Sequence, residues 1–401
     1  MQVWNATRVN PSGVSTEQFT LIMNINMKKI QYYISALLLV GVVAMSLSSC
    51  SNEKLGPSIF PDEDEVLDPT STTYKLDKYL KENFLDKYNL TFLYKMPDVS
   101  ANMNYNLVPA RYENALDLAV TCQYLWFEPY ELMGGVDFLK AYSPRIILLV
   151  GSQAISSATR QPVDGLTEGG VKITLFNVNK MNADSIDLMN KDYFHTMHRE
   201  FANILRQNKT YPTDFNTISV GHYVPSEWRE RGDEISSEGF VCPYASSENS
   251  VDFAETIACY IVYTDKQWED MLSYAACGWH KDKNQYCRYY KYPGNDLTED
   301  PVYIPHTDAD EKKIQTVKDA DGFIISRYVM EDKVRVTVYE VEDEDGIDGV
   351  AAIEQKVAYA RQWFREAWGI DLDALREEVR KRQLPENYNI QALRNRVYNI
   401  N

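Results

Sequence analysis

The sequence has few histidines, five among 401 residues, and none stands in a His-Glu-x-x-His array. There is no Cys-x-x-Cys either, so the commonest helix-borne zinc motif and the zinc-knuckle spacing are both excluded. Phosphate cradles and nucleophile elbows are also missing. No Walker loop or Gly-x-Ser-x-Gly occurs, and Gly165-Leu166-Thr167-Glu168-Gly169-Gly170 has no Lys-Ser/Thr after it, so it reads as a turn before a strand at Val171. A glycosidase pair is defined by a separation in space, which sequence alone does not give. Positive charge is short: 41 Lys plus Arg face 58 Asp plus Glu, for a net charge of −17, so a nucleic-acid partner lacks the attraction it needs. Glycine and proline, at 18 and 16, are too sparse for a collagen or a low-complexity tail, and 44% apolar residues exclude a wholly disordered chain. The length fits two or three domains, or one large domain with insertions.

Long hydrophobic runs are absent but for one. Residues 34–45 form an apolar stretch of twelve, shorter than the roughly twenty that a spanning helix requires. Met27, Lys28 and Lys29 precede it as a basic n-region, and Leu47-Ser48-Ser49-Cys50 follows as a small-residue cleavage site. Those last four residues resemble a bacterial lipobox, which implies cleavage before Cys50 and acylation of that cysteine. Ser51 behind it implies an outer-membrane address, on the periplasmic or the cell-surface face. Met27 is the expected start, and residues 1–26 are set aside from fold reasoning. Cleavage would remove Arg8, Lys28 and Lys29 against Glu17, leaving the remainder two charges more acidic. Residues 1–49 are therefore read as extension and signal peptide, and 50–70, with Pro61-Asp62-Glu63-Asp64-Glu65, as an acidic tether.

Beyond the tether, strands are expected at 90–94, 146–150 and 171–176, with helical stretches at 115–125 and 130–142 between the first two. No internal repeat is found. That interleaving gives an α+β or α/β body over 71–275. Residues 276–349 read as a tyrosine-rich insertion with a hairpin pairing 323–328 with 333–339, and 350–401 as a helical region stopping once at Gly369 and restarting at Asp371. Exposed rings of Trp279, Tyr286, Tyr289, Tyr290 and Tyr292 are a candidate surface for stacking on a sugar or docking a peptide, against the plainer reading that half of them are core. Cys122, Cys242, Cys259, Cys277 and Cys287 read as buried small apolar residues, with a disulfide between Cys277 and Cys287 as one option.

The helix expected at 193–207 places Phe194, Met197, Phe201 and Leu205 on one stripe and carries His195-Thr196-Met197-His198-Arg199-Glu200-Phe201-Ala202-Asn203. Glu200, Phe201, Ile204, Leu205 and Gln207 match a family helix of the form His-His-Glu-Phe-x-His-Ile-Leu-x-Gln, with His198 at its first, non-ligand histidine. Gly239-Phe240-Val241, Tyr244-Ala245 and Val251-Asp252-Phe253-Ala254-Glu255 match further family segments, as do Leu107-Val108-Pro109, Trp126-Phe127-Glu128-Pro129-Tyr130, Asp137-Phe138-Leu139-Lys140, Leu149-Val150-Gly151-Ser152 and Trp368-Gly369-Ile370-Asp371-Leu372-Asp373. The chain thus resembles the substrate import-associated zinc metallohydrolase lipoproteins of Bacteroidetes, also described as zinc-binding metallopeptidases.

The resemblance implies a gluzincin-like α+β fold, zinc chemistry with Glu200 as general base, and work beside an outer-membrane importer and its surface binding lipoprotein on glycans or peptides. It also puts metal ligands at Arg199, Asn203 and Val251, none of which suits a divalent cation. A guanidinium remains protonated and brings positive charge to a cation's seat. The expectation is therefore a degenerate, non-catalytic binding accessory without a cofactor. The alternative is an active zinc peptidase with relocated ligands, His195 and His198 with Asp252 or Glu255. A third reading is a purely structural envelope lipoprotein.

Overall fold

Three short apolar segments line up as parallel strands at the centre of the body. A computed structural model gives the structure of residues 67–95, 107–155, 162–163, 165–168, 171–280, 285–341 and 346–400, so the signal segment, Cys50 and nearly all of the tether lie outside the described residues. The chain divides into residues 1–66 and one compact unit from Leu67 onward.

In that unit β1 (Thr91–Leu93), β2 (Ile146–Leu149) and β6 (Lys172–Leu175) run parallel, with Phe92 opposite Ile147 and Ile147 opposite Ile173. Both faces are covered, as parallel strands require, and Ile147, Leu149, Ile173 and Leu175 are fully buried. The glycine segment read as a turn is instead a strand, β5 (Gly165–Glu168), antiparallel to β6 at the sheet edge. Gly165 permits this: a Cβ there would come within 2.5 Å of the Thr196 methyl. Strands β3 (Ala154–Ile155) and β4 (Pro162–Val163) form a separate two-stranded pair.

Helices α1 (Tyr74–Leu80), α2 (Tyr112–Cys122) and α3 (Glu128–Tyr142) cover the sheet, with α3 broken at Gly135, whose φ is +82°. Next come α4 (His195–Asn208), α5 (Asn249–Val262) and α6 (Asp265–Ala275). Met197, Phe201 and Leu205 place the apolar stripe of α4 in the main core. Thr264 starts α6 with a reciprocal cap, accepting from the Gln267 N–H while Gln267 accepts from its own. At the C-terminal end α7 (Gly349–Trp363), α8 (Leu372–Gln383) and α9 (Ile390–Tyr398) return to the same core through Val357, Trp363, Leu375 and Val397. Gly369 sits between α7 and α8 at φ +70°, and Asp371 caps α8 by accepting from the Asp373 and Ala374 N–H groups.

Between α6 and α7 the chain builds a six-stranded antiparallel sheet from β7 (Gly278–His280), β8 (Gln285–Lys291), β9 (Val302–Pro305), β10 (Gln315–Lys318), β11 (Ile324–Glu331) and β12 (Val334–Glu340). The hairpin of β11 and β12 turns at Asp332 and Lys333, both left-handed, and pairs Tyr328 with Thr337. Tyr289 is buried with Ile304, Val329 and Val336 in a small core of this sheet, so it is scaffold and not an exposed ring. Tyr290 and Tyr292, half-buried, pack on Tyr339, and the Tyr286 hydroxyl donates to Glu238 at 2.8 Å. Trp279 lies on β7, and its side chain is outside the described residues. Cys277 and Cys287 are both buried as thiols, and no disulfide joins them. Among the described residues no helix is long and apolar enough to cross a membrane.

Candidate functional site

The helix carrying the histidines does not begin as a plain α-helix. A short helix at Ile186–Met189 runs into a wide, π-type turn over Asn190–Phe194, and only then does α4 begin, with His195 as its first residue. Such a turn inserts a residue and rotates everything after it about the axis. It leaves His195 facing α5, where Glu255 and Cys259 are one turn apart on a single face.

Glu255 is the hub, fully buried. Its Oε2 accepts from His195 Nε2 at 2.6 Å, and its Oε1 accepts from the Arg199 guanidinium at 3.2 Å. The Cys259 sulfur is 3.5 Å from His195 Nε2, and the Cys242 thiol, delivered by the turn after Gly239, donates to Glu255 Oε2 at 3.6 Å. The Cys242 thiol also hydrogen-bonds the Cys259 side chain. His195 Nε2, Glu255 Oε2 and Cys259 Sγ all lie within 4.8 Å of one another, a set able to hold a metal ion.

Charge follows from this geometry. Burial pushes the Glu255 carboxyl up, but His195 and Arg199 outweigh it and hold the group at about 2. Burial works against a charge on His195, yet Glu255 and Cys259 raise it to about 10. Burial raises the Cys259 thiol, while the Cys242 bond and the His195 charge bring it down to about 6.

Arg199 closes the neighbouring space. Its Nε donates to Glu200 Oε1 at 2.9 Å, and its guanidinium lies 5.4 Å from the centre of the Tyr244 ring. Asn203 Nδ2 donates to Glu200 Oε2 at 3.2 Å, and Asn203 Oδ1 accepts from Arg206 Nε at 2.8 Å. Glu200, the expected base, is thus held from both sides by side chains of its own helix.

The structure brings together only part of the relocated ligand set. His195 and Glu255 meet; His198 and Asp252 do not join them. His198 is buried in the core, where its Nδ1 bonds the Tyr130 hydroxyl at 3.0 Å and its Nε2 has no partner, and burial depresses it to about 3. Asp252 is spent on a buried ion pair with Lys356 Nζ at 2.6 Å and on the Tyr223 hydroxyl at 2.8 Å. Cys259 and Cys242 were not foreseen as site residues. A Glu and a Cys at i and i+4 on a helix was the available signal, masked because an isolated buried cysteine ordinarily behaves as a small apolar residue.

A cavity of about 480 Å³ opens onto His195 and Cys242, walled by Val262, Tyr263, Met271 and Asp270. Among known families, the model described as "Putative zinc-binding metallo-peptidase" matches residues 69–373. A crystal structure of a putative zinc-binding metallo-peptidase from Bacteroides caccae is similar over 82% of this chain and 94% of that one, at 27% identity and a TM-score of 0.53. A comparison with curated proteins finds no match.

Proposed function

The chain belongs to the family described as putative zinc-binding metallo-peptidases, and from that premise we propose that it is a member whose inherited metal seat is closed by its own side chains. It serves as a binding accessory and not as a hydrolase. One observation carries the reading: the Arg199 guanidinium spans Glu200 and Glu255, at 2.9 and 3.2 Å. A divalent cation does not fit there. Arg199 offers no lone pair, Asn203 has its amide engaged on both sides, and Val251 has no donor atom. Glu200 therefore has no metal-bound water to deprotonate.

The gluzincin-like character of the fold belongs to this same reading, supported by the mixed sheet with its antiparallel edge strand β5. So do the lipid anchor at Cys50 and the outer-membrane address, supported by Leu47-Ser48-Ser49-Cys50 and by the acidic stretch behind it, and the importer partner, which the family resemblance implies. The cavity beside His195 is the part of the cleft left free to take a peptide or a glycan. The relocated peptidase built on His195, His198 and Asp252 or Glu255 is disfavoured, since His198 and Asp252 are engaged elsewhere.

The test is hydrolysis of a peptide library by the purified full chain beside its Glu200→Gln variant. Equal, background rates are expected. Turnover in the parent chain that vanishes in Glu200→Gln sinks the reading.

A further inference from the structure

We propose that His195 Nε2, Glu255 Oε2 and Cys259 Sγ, completed by Cys242 Sγ, form a closed structural site for a zinc-class divalent cation, one helical turn away from the seat occupied by Arg199. The inference goes beyond the reading above and rests on it only in giving Glu200 no part.

The donors come from three elements: the first residue of α4, one face of α5 and the turn before Pro243. His195 Nε2, Glu255 Oε2 and Cys259 Sγ lie within 4.8 Å of one another, and Cys242 Sγ adjoins them at Glu255 Oε2. Ligands at tetrahedral zinc lie about 3.3–3.8 Å apart, given bonds of about 2.0–2.3 Å. The His195–Cys259 contact of 3.5 Å and the Cys242–Glu255 contact of 3.6 Å already have that spacing. The His195–Glu255 contact, at 2.6 Å, is a hydrogen bond that an ion must open, by somewhat under about 1 Å.

A cysteine nucleophile activated by histidine is the competing chemistry, and the geometry disfavours it. In a nucleophile–base–acid relay the histidine uses one ring nitrogen for the nucleophile and the other for the acid. Here the sulfur and the carboxylate both meet the same atom, Nε2, which is the arrangement of ligands around a common centre.

Charge and second contacts also suit a cation. Two thiolates and Glu255 carry three negative charges, which a dication and the Arg199 guanidinium together balance. Arg199 bonds the other carboxylate oxygen, Oε1, and so fixes Glu255 with Oε2 turned to the site, as outer partners of metal ligands do. Tyr263 adds a hydroxyl beside the Cys259 sulfur. Four protein donors leave no open position, which makes the ion a clamp between α4, α5 and the Cys242 turn and not a catalyst. Thiolate and imidazole donors select zinc, cobalt or cadmium over magnesium or calcium.

The experiment loads the reduced full chain with Co(II) under anaerobic conditions and records its absorption, then measures zinc by elemental analysis. Expected is about one equivalent of metal and an intense thiolate-to-cobalt charge-transfer band, since bound metal must be held by deprotonated sulfur. The band is lost in Cys259→Ser and in His195→Ala, and kept in Glu200→Gln and in the control Cys277→Ser. No band in the parent chain overturns the proposal, as does a mass lower by two hydrogens showing a Cys242–Cys259 disulfide in the freshly reduced protein. A metal that is lost in Glu200→Gln and gives no sulfur band overturns it too, and at the same time overturns the reading of the Arg199 seat. The parent spectrum needs no variant, so a misfolded Cys259→Ser leaves the test standing.

Discussion

At the scale of single residues, Arg199 is the side chain on which the site's charge balance rests. Replacing it by Met removes the guanidinium shared by Glu200 and Glu255, both largely out of solvent, and leaves Glu255 with His195 as its cation. Removing one partner of a buried ion pair costs up to about 3–5 kcal/mol when nothing else compensates the charge, and with His195 still on Glu255 the Arg199→Met variant should lose less than that in a denaturant titration. His198 supplies a pH dependence. Its folded value, about 3, lies below the ordinary histidine value, so between the two it is the unfolded chain that holds the extra proton. Stability is fully present above pH 6.5 and falls as pH drops toward 3, by about 2 kcal/mol between pH 7 and 5. Unfolding curves across that range should flatten in His198→Gln. Some of this residue chemistry was legible in the sequence: of the displaced set His195 and His198 with Asp252 or Glu255, the structure brings His195 and Glu255 together. The partnership of Cys259 with them was not, because it depends on how the Asn190–Phe194 turn rotates α4 against α5. Neither did spacing show that His198 turns inward to Tyr130.

At the scale of elements, most helices and the parallel strands follow from apolar periodicity, and Asp371 and Gly369 mark their junction by capping chemistry alone. What periodicity misses are the wide turns at Gln123–Phe127, Asn190–Phe194 and Phe364–Trp368, which join helices without breaking the hydrophobic pattern. Nor does it show how α7 is docked. Lys356 on that helix is fully buried, bonding Asp252 of α5 and the Gly239 carbonyl at 2.6 Å each. Burial pulls Lys356 down and Asp252 up, so the pair is stable only while both partners are present. Lys356→Met alone should therefore destabilise by about 3–5 kcal/mol, and Lys356→Met with Asp252→Leu by distinctly less, read as the coupling in a double-mutant cycle. The first residue of α7 is equally constrained: a Cβ on Gly349 would stand 2.5–2.7 Å from the carbonyls of Ser236, Ala275 and Ser237. Gly349→Ala should lower the melting temperature, whereas the same change at Gly346, with nothing within 4 Å, acts only through its φ of +73°.

At the scale of the whole molecule, the unequal size of the apolar cores sets the order of opening. The main core takes in the parallel sheet, α2 through α5 and the three C-terminal helices, whereas the inserted sheet closes over five buried residues of its own. Amides of β10 to β12 should exchange with solvent through local opening, well before those of α4 and α5, in a hydrogen-exchange time course. The Lys356 contacts have a further consequence for biosynthesis. Residues 239 and 252 are made more than a hundred positions before the lysine that ties them together. On the ribosome the Gly239 carbonyl beside the Cys242 turn therefore waits for its lysine until α7 has been translated, and a chain stalled within the tyrosine-rich sheet emerges with Asp252 still lacking its counter-ion.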